Sequence, residues 1–548
     1  MLHYVRLQFL FLSLYGAKQH AAMAQAADGR SKKHEASTRQ NIILILIDDL
    51  GIKDLGCYGS KFYSTPHINT LSREGVKFVN AYAAHPMCLP SRVALLSGVY
   101  PARLGQNAGA QQFQKHGHRN AKKCFGKYNA NFFDDVKLPT NQAFTLGEAF
   151  KEHGYDTAWL GKWHLGRPPN EHGFDRTFGH TKIGSIQSHF APYFRPGHEK
   201  NDLWDLEKEN IEEGTYMADL LTTKTLDAIT DFRSGKKERK PFFVVLSHYA
   251  VHTPIEGPTQ FRGTFRKKLE AMSYGQKYRF DYDREAVCKL SQDNTEYAAM
   301  LKAVDESVGR VRAFLQARDL QESTTIVFTS DNGGLSTLPA KYKNLNPREI
   351  VKEHISTSNS PHRGGKHWLY EGGIRVPLLI YAPNKQKSWH LTRFRSIGMD
   401  IYPTLLDLAD LPLYPSVHRD GISLVPALTK LSEAWHRTEP FFWNYPKVYD
   451  GGEGICSAAL KGAFKLVQFE GPEQLGFSHT AELYNILKDP SEQNNIAADR
   501  PKKVKELLKD LLSWKKNWVD DRDFTPEKCE KFLKYDQWKD VTNSTDAY

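Results

Sequence analysis

The chain has 548 residues, of which 40% are hydrophobic and 25% are charged, and a formal net charge of +11. The two fractions are those of an ordinary globular protein and exclude a collagen, a disordered acidic chain and a polytopic membrane protein. The positive charge is spread along the whole length, so it is compatible with an anionic substrate but too dilute to indicate a nucleic-acid-binding protein.

The N-terminus has the pattern of a secretory signal peptide. Arg6 precedes a short apolar run at 7–16, and the small-residue motif Ala-Gln-Ala at 24–26 follows it. The run is shorter than the roughly 20 residues that cross a bilayer, so it predicts a cleaved signal at 1–26 and not a membrane anchor. An amphipathic helix is the weaker alternative. We therefore expect a polar leader at 27–39, no membrane span and a secreted or periplasmic protein.

Continuous runs of β-branched residues and leucine predict a set of buried strands. We expect strands at 41–47, 156–161, 242–248, 325–330 and 378–382. The helices between them are expected at 145–153, 217–232 and 294–317. Strands that alternate with helices favour an α/β fold built on a large, doubly wound, mostly parallel sheet flanked by helices. In such folds, sites form at the carboxyl ends of the strands.

The pattern changes after residue 435. Short strands at 441–443 and 464–469 and a lysine-rich amphipathic helix at 502–518 predict a smaller C-terminal α+β subdomain with antiparallel strands. We place the large domain at 40–435 and this subdomain at 436–548. Three stretches of weak periodicity are expected to be long inserted loops: 106–137, 262–293 and 338–361.

Acidic side chains follow two of the predicted strands. Asp48 and Asp49 come directly after the first strand, and Asp331 and Asn332 come directly after the fourth. Adjacent carboxylates repel each other, so they need a cation or hydrogen-bond donors nearby. Oxygen ligands of this kind are those that Ca²⁺ and Mg²⁺ prefer. Either pair alone is compatible with an ordinary turn, but the two pairs together predict a divalent metal site.

A cysteine motif carries the third signal. Cys88 begins the string Cys-Leu-Pro-Ser-Arg, which ends at Arg92 and leads into a helical pattern. Chemistry alone allows a thiolate nucleophile that the helix N-terminus and the arginine would favour, and a buried structural cysteine is the alternative. Three more side chains that follow predicted strands are candidates for charge stabilisation or proton transfer: Lys162, His164 and His252. Each of them alone is compatible with a core or solvated position.

The cysteine motif, with Leu96 and Gly98 downstream, closely resembles the signature of the type I sulfatases. Segments similar to other motifs of that family follow in the family's order: 41–51, 161–166, 248–254, 331–333, 363–377 and 482–490. The resemblance covers about residues 40–500 and all the motifs that carry catalysis in the family. Three positions that depart from the family pattern lie outside the expected catalytic set: Asn69, Ser97 and Asn444.

The resemblance implies an alkaline-phosphatase-like fold and a sulfuric ester hydrolase, similar to arylsulfatases and to secreted bacterial glycan sulfatases. In the family, a maturation enzyme oxidises the cysteine to formylglycine, whose hydrated aldehyde attacks sulfur. The cation would be Ca²⁺, with Mg²⁺ as the alternative. Its ligands would be Asp48, Asp49, Asp331, Asn332 and the modified Cys88.

The resemblance also implies roles for the remaining side chains. Lys162 and Lys366 would bind the sulfate group. Arg92 would hold the nucleophile and the metal-binding carboxylates. His252 would protonate the leaving oxygen, and His164 would act as a base toward the second hydroxyl of the nucleophile.

The expected substrate is a sulfated carbohydrate or a small sulfate ester. The stretches 106–137 and 262–293 are basic and aromatic, so they could bind a sulfated sugar chain, although solvated loops are equally compatible. Two other functions stay open. One is a phosphodiesterase or phosphonate hydrolase of the same superfamily, and the other is a sulfoglycan-binding protein without turnover if Cys88 is not converted. The residues do not indicate which sugar is bound or how many chains assemble.

Overall fold

The structure is a computed structural model that describes most of the chain between residues 39 and 518. The described ranges are 39–104, 144–195, 203, 205–206, 209–234, 239–284, 286–338, 346–386, 391–429, 437–445, 456–469 and 480–518. The predicted signal peptide, nearly all of the polar leader and the stretch 106–137 therefore lie outside the described residues.

An eight-stranded sheet forms the centre of the fold. In order across the sheet its strands are β11 (Leu391–Ile397), β2 (Val76–Tyr82), β10 (Leu378–Tyr381), β8 (Thr324–Ser330), β1 (Asn41–Ile47), β5 (Phe242–Ser247), β3 (Asp156–Gly161) and β4 (Arg176–Phe178). β10 runs antiparallel to both of its neighbours, and the other neighbouring pairs are parallel. The prediction of an α/β fold with a large, mostly parallel sheet is confirmed.

Helices cover both faces of the sheet. They are α1 (Pro66–Glu74), α2 (Cys88–Ser97), α3 (Leu146–Glu152), α4 (Met217–Arg233), α5 (Thr259–Ala271), α6 (Thr295–Gln316), α7 (Pro347–Glu353), α8 (Glu371–Ile374), α9 (Ile401–Leu408) and α10 (Val425–Thr429). Successive side chains of a strand point to opposite faces. On β1, Ile43 therefore packs in one core with residues of α4 and α6, and Leu44 packs in another core with residues of α3 and α9.

A smaller sheet follows near the C-terminus. Its antiparallel strands, in order, are β12 (Phe441–Tyr445), β13 (Cys456–Lys461), β14 (Phe464–Phe469) and β15 (Ala481–Asn485). The amphipathic helix α11 (Pro501–Trp518) packs against β13 and β14 and places Leu507 and Leu511 in their core. The predicted antiparallel strands and helix of the C-terminal region are therefore present, while the domain boundary at 435 stays a prediction.

Two stretches that were expected to be loops contain regular structure, so that expectation is wrong. The stretch 262–293 contains most of α5 and an antiparallel hairpin of β6 (Phe280–Asp283) and β7 (Ala286–Lys289), and β7 pairs with β9 (Thr337–Leu338). The stretch 338–361 contains α7. Helix α5 buries Phe265 fully and packs the half-buried Phe261 and Leu269 against the same core, an apolar stripe at helical spacing that the expectation of a loop missed. None of the helices among the described residues is long and apolar enough to cross a membrane.

Candidate active site

Parallel strand pairing brings the two acidic motifs together. β1 and β8 are neighbours, and Ile47 lies opposite Ser330, so the residues that follow these strands lie side by side at the carboxyl edge. The backbone N–H of Asp49 donates to Oδ1 of Asp331 at 3.2 Å. Nδ2 of Asn332 donates to Oδ1 of Asp49 at 2.8 Å. The residues that the sequence spaces almost 300 positions apart therefore form one cluster.

Cys88 lies against this cluster because it is the first residue of α2. Its Sγ and carboxylate oxygens of Asp48 and Asp331 all lie within 4.8 Å of one another. Arg92 follows one helical turn later, on the same face of α2. Its Nε donates to Oδ2 of Asp331 at 2.9 Å, and its Nη2 forms an ion pair with the same oxygen at 2.8 Å. Its Nη1 donates to Oγ of Ser247 at 2.8 Å, so the arginine joins α2 to two strand ends.

Two buried lysines complete the charge pairing. Lys162 follows β3, and its Nζ lies 2.5 Å from Oδ2 of Asp48. Lys366 comes from the loop before α8, and its Nζ lies 2.7 Å from Oδ2 of Asp49. An unpaired buried charge costs several kcal/mol, and each of these contacts gives a buried lysine a carboxylate partner.

Burial and charge act differently on the two adjacent carboxylates. Burial raises the pKa of Asp48 well above its usual value, and the charge of Lys162 offsets part of this rise. Burial also acts on Asp49, but the charges of Lys366 and Lys162 and the hydrogen bond from Lys366 outweigh it and hold the pKa of Asp49 below its usual value. In return, the pKa of Lys366 is raised, because the attraction of Asp49 exceeds the effect of burial.

The unmodified thiol is a poor nucleophile in this setting. Burial raises the pKa of Cys88, although Lys162 and Lys366 act in the opposite direction. A raised pKa keeps the sulfur protonated and therefore weakly reactive. The simple thiolate that chemistry alone allowed at this position is disfavoured.

Both candidate histidines lie at the same edge and are held neutral. Nε2 of His252 is 3.7 Å from Oδ2 of Asp49, and its Nδ1 donates to the carbonyl of Thr253 at 2.8 Å. Burial and the charge of Lys366 lower the pKa of His252 well below its usual value. Burial and the charge of Lys162 do the same for His164.

The donor set fits a hard divalent cation. Oδ1 of Asp48 and Oδ1 of Asn332 are buried and have no hydrogen-bond partner, which is rare for buried polar atoms. A carboxylate oxygen of Asp331 lies with one of Asp48 within 4.8 Å of the Cys88 sulfur, and Asp49 is joined to Asn332 by a hydrogen bond at 2.8 Å. Such ligands suit Ca²⁺ or Mg²⁺.

The loop that carries Lys366 is attached to the metal-ligand loop by backbone hydrogen bonds. The N–H of Lys366 donates to the carbonyl of Gly334 at 3.0 Å, and the N–H of Gly333 donates to the carbonyl of Gly373 at 2.9 Å. A Cβ on Gly333 would lie 1.9 Å from the carbonyl oxygen of Gly372. The close backbone approach explains why glycines occupy both loops.

A buried ion cluster, which sequence reasoning missed, joins this loop to the C-terminal sheet. We call Glu371, Lys465 and Glu492 the C-terminal ion cluster. Nζ of Lys465, on β14, lies 3.2 Å from Oε1 of Glu371 and 2.8 Å from Oε1 of Glu492. Oε2 of Glu492 also accepts from the N–H of Glu371 at 2.7 Å. Since Glu371 begins α8, five residues after Lys366, the cluster fixes the end of the lysine loop.

The family motif at 482–490 supports the same loop. The hydroxyl of Tyr370 donates to Oε2 of Glu482 at 2.5 Å. Nη1 of Arg363 donates to the hydroxyl of Tyr484 at 2.8 Å. The motif was visible in the sequence, but its contacts with residues more than 100 positions earlier were not.

Comparisons with known proteins cover the same part of the chain. A family model described as Sulfatase matches residues 40–411, and one described as N-sulphoglucosamine sulphohydrolase, C-terminal, matches residues 364–517. The chain is 29% identical to N-acetylgalactosamine-6-sulfatase of Canis lupus familiaris over 400 residues, which are 71% of this chain and 66% of that protein. It therefore spans just under two thirds of the length of that relative.

Two further likenesses extend over more of the chain. Arylsulfatase J of Mus musculus is 26% identical over 548 residues, which cover 92% of this chain and 80% of that protein. The crystal structure of Ps i-CgsB in complex with k-i-k-neocarrahexaose is 25% identical, with a TM-score of 0.66, and covers 92% of this chain and 98% of that chain. The sulfatase model matches well over half of the sequence and includes the cluster around Cys88, and the chain belongs to the sulfatase family.

Proposed function

We propose that the protein is a sulfuric ester hydrolase that removes sulfate from a sulfated carbohydrate or an aryl sulfate. The observation that carries the proposal is the cluster at Cys88: carboxylate oxygens of Asp48 and Asp331 lie within 4.8 Å of its sulfur, and Arg92, Lys162 and Lys366 pair with Asp331, Asp48 and Asp49. Such a site compensates the charge of a sulfate group and of a divalent cation together. The oxidation of Cys88 to formylglycine, the bound Ca²⁺ and the secreted or periplasmic location belong to the same proposal.

The cation, held by Asp48, Asp49, Asp331 and Asn332, and the oxidised Cys88 side chain would supply Lewis-acid charge compensation and an oxygen nucleophile. The chain's own residues do the rest. Arg92 fixes the position of residue 88 relative to the Asp331 carboxylate through the pairing at 2.8 Å.

The lysines bind the sulfate group, and the histidines transfer protons. Lys162 and Lys366 place two positive charges beside residue 88 and attract the sulfate oxygens. Because Nδ1 of His252 donates to the Thr253 carbonyl, Nε2 of the neutral ring carries a lone pair, with which it can take up a proton at the site and pass it to the leaving oxygen. His164 would serve as the base on the side of Lys162.

The proposed substrate class draws on the relatives. The name of N-acetylgalactosamine-6-sulfatase and the neocarrahexaose complex of Ps i-CgsB both concern carbohydrates.

The proposed function also requires a partner protein. This partner is a maturation enzyme that oxidises Cys88.

The test combines mass spectrometry with kinetics. Protein made together with a formylglycine-generating enzyme should show a loss of about 18 Da in the peptide that contains Cys88, whereas cysteine oxidation to sulfenic or sulfinic acid adds mass. The peptide that contains Cys57, a half-buried thiol, is the internal control. The converted protein should hydrolyse 4-nitrophenyl sulfate, and a Cys88→Ala variant should not.

The same experiment separates the other two functions. A converted protein that cleaves 4-nitrophenyl phosphonate or bis(4-nitrophenyl) phosphate faster than 4-nitrophenyl sulfate is a hydrolase of phosphorus esters. An unconverted Cys88, in a culture where a control sulfatase is converted, would favour a sulfoglycan-binding protein without turnover.

A further inference from the structure

A group of exposed cations lies at the same edge of the large sheet as the active site. We call it the cationic face, and it consists of Arg266, Lys267, Lys268, Lys277, Arg279 and Arg348. Within the part of the chain that the structure describes, none of these side chains forms an ion pair with a carboxylate. The segment from Thr259 to Arg279 contains six lysines and arginines and one glutamate.

Chain topology places this face beside the site. α5 is inserted after the carboxyl end of β5, in the segment that begins with His252, and α7 follows the carboxyl end of β8. Hydrogen bonds of the Gln292 side chain connect these insertions to the loop after β1. Its Nε2 donates to the carbonyls of Lys53 at 3.0 Å and Ser358 at 3.3 Å, and its Oε1 accepts from Oγ of Ser60 at 2.8 Å.

Local contacts connect the members of the face to one another. The guanidinium of Arg348, on α7, lies 4.7 Å from the ring centre of Tyr274, and this ring is 76% exposed. Nζ of Lys277 donates to the carbonyl of Glu270, one turn after Arg266, at 3.3 Å. The surface therefore combines unpaired positive charge with an exposed aromatic ring.

Some other surface lysines pair with acids. Lys302 contacts Glu306 at 2.7 Å and Lys224 contacts Glu209 at 2.7 Å. On the cationic face Nζ of Lys268 instead donates to the carbonyls of Lys61 and Phe62, at 3.1 and 2.6 Å. Cations that have no carboxylate partner are complementary to an anionic ligand. They attract it over about one Debye length.

The spread of the face over three segments favours a chain as the occupant over a single sugar. Its members lie on α5, between α5 and β6, and on α7. We propose that the cationic face binds the sulfated saccharide chain beyond the unit whose ester is cleaved, so that the protein takes oligomeric or polymeric sulfated glycans. This inference rests on the proposed function for its substrate class.

The test measures binding separately from turnover. The face variant combines R266Q, K267Q, K277Q and R279Q. The control variant combines K502Q, K505Q, K509Q and K516Q on α11, which remove the same charge from exposed lysines of the C-terminal helix. Both are made without the maturation enzyme, and calorimetry measures their affinity for dextran sulfate, unsulfated dextran and polyphosphate.

We expect the face variant to bind dextran sulfate at least about tenfold more weakly than the wild type, with a shallower dependence on salt. The control variant should stay within about twofold. Equal losses in the two variants, or no loss in the face variant, would overturn the proposal. Wild-type affinity for polyphosphate equal to that for dextran sulfate would also overturn it, because the face would then recognise charge alone.

Kinetics on matured protein separate this inference from the proposed function. Hydrolysis of 4-nitrophenyl sulfate should be the same in the face variant and the wild type, since none of the four residues touches the site. Selective loss of dextran sulfate binding in a protein that hydrolyses no sulfate ester would contradict the proposed function and leave the cationic face standing as a glycan-binding surface.

Discussion

Lysines and arginines are concentrated in two regions at the carboxyl edge of the large sheet. In only one of these regions do they form ion pairs with carboxylates. In the active site each buried cation contacts a carboxylate: Arg92 with Asp331, Lys162 with Asp48, and Lys366 with Asp49. On the cationic face the side chains are exposed or partly exposed and contact carbonyls, a ring or solvent. The difference follows from hydration, because water stabilises an exposed cation whereas a buried one needs an anion. The buried region therefore has a fixed geometry, and the exposed region is available to an anionic partner.

The largest expected effect comes from removing a paired cation that would bind sulfate. Lys366→Met should lower kcat/KM for 4-nitrophenyl sulfate about 10²–10³-fold, because a fixed charge beside residue 88 is lost. Steady-state kinetics on matured protein measures this. Lys267→Met, which removes an unpaired exposed lysine, should keep full activity. Full activity in Lys366→Met would contradict the claim that the buried, paired cations are needed for activity and the exposed ones are not.

Removing the buried arginine Arg92, which pairs with Asp331, should strongly lower the stability of the fold. Arg92→Met leaves the Asp331 carboxylate buried without its cation, and we expect a loss of about 3–5 kcal/mol in the free energy of unfolding. Urea denaturation measures the change. Arg279→Met on the cationic face is the matched control and should change stability by less than about 0.5 kcal/mol. Similar losses in both variants would contradict the comparison.

Asp54 shows what happens to a buried carboxylate whose partners are neutral. It accepts from the hydroxyls of Tyr297 and Thr357, both at 2.6 Å, and burial raises its pKa to about 7. The folded state therefore holds this proton more tightly than the unfolded state, and stability should fall as pH rises from the ordinary value of 3.8 to about 7. Above that pH the contribution stays constant.

The measurement is urea denaturation of the wild type and Asp54→Asn at about pH 5 and about pH 8. The wild type should lose more stability than the variant between these two conditions. A steeper pH dependence in Asp54→Asn would contradict the assignment of the proton to Asp54.

The C-terminal ion cluster should give a somewhat smaller effect than Arg92. Lys465→Met leaves two buried glutamates, but burial raises the pKa of Glu492 to about 7, so it can take up a proton and limit the loss. We expect about 2–4 kcal/mol, with kcat lowered because the Lys366 loop shifts. Lys465→Arg should restore kcat. A Lys465→Met protein with unchanged kcat would show that the cluster stabilises the fold without positioning the loop.

The smallest expected effect is on the stability of the cationic face itself. The combined R266Q and K267Q substitutions should change the free energy of unfolding by less than about 0.5 kcal/mol, since no ion pair is lost. Thermal unfolding in low salt provides the measurement. A larger loss would mean that these arginine and lysine side chains have a structural role.

Much of the architecture follows from local sequence. The run at 41–47 predicts a strand with the bounds that β1 has, and the lysine-rich pattern at 502–518 predicts α11 within one residue of its start. The antiparallel direction of β10 was not predicted, because strand polarity depends on partners distant in sequence. The helix α5 was not predicted although Phe261, Phe265 and Leu269 lie at helical spacing, because three apolar residues among many charged ones give a weak periodic signal.

Residue types and strand ends were enough to nominate the candidates Asp48, Asp49, Lys162, His164, His252, Asp331 and Asn332. The motif before a helix nominated Cys88, and the resemblance to sulfatases added Lys366. The sequence by itself determined the α/β class and the candidate side chains, since both depend on short-range patterns. Only the tertiary structure decided which cations are paired, that Lys465 supports the Lys366 loop, and that the unpaired cations form one face beside the site. Those properties depend on burial and on contacts between residues far apart in the chain, because the energy of a charge is set by what surrounds it.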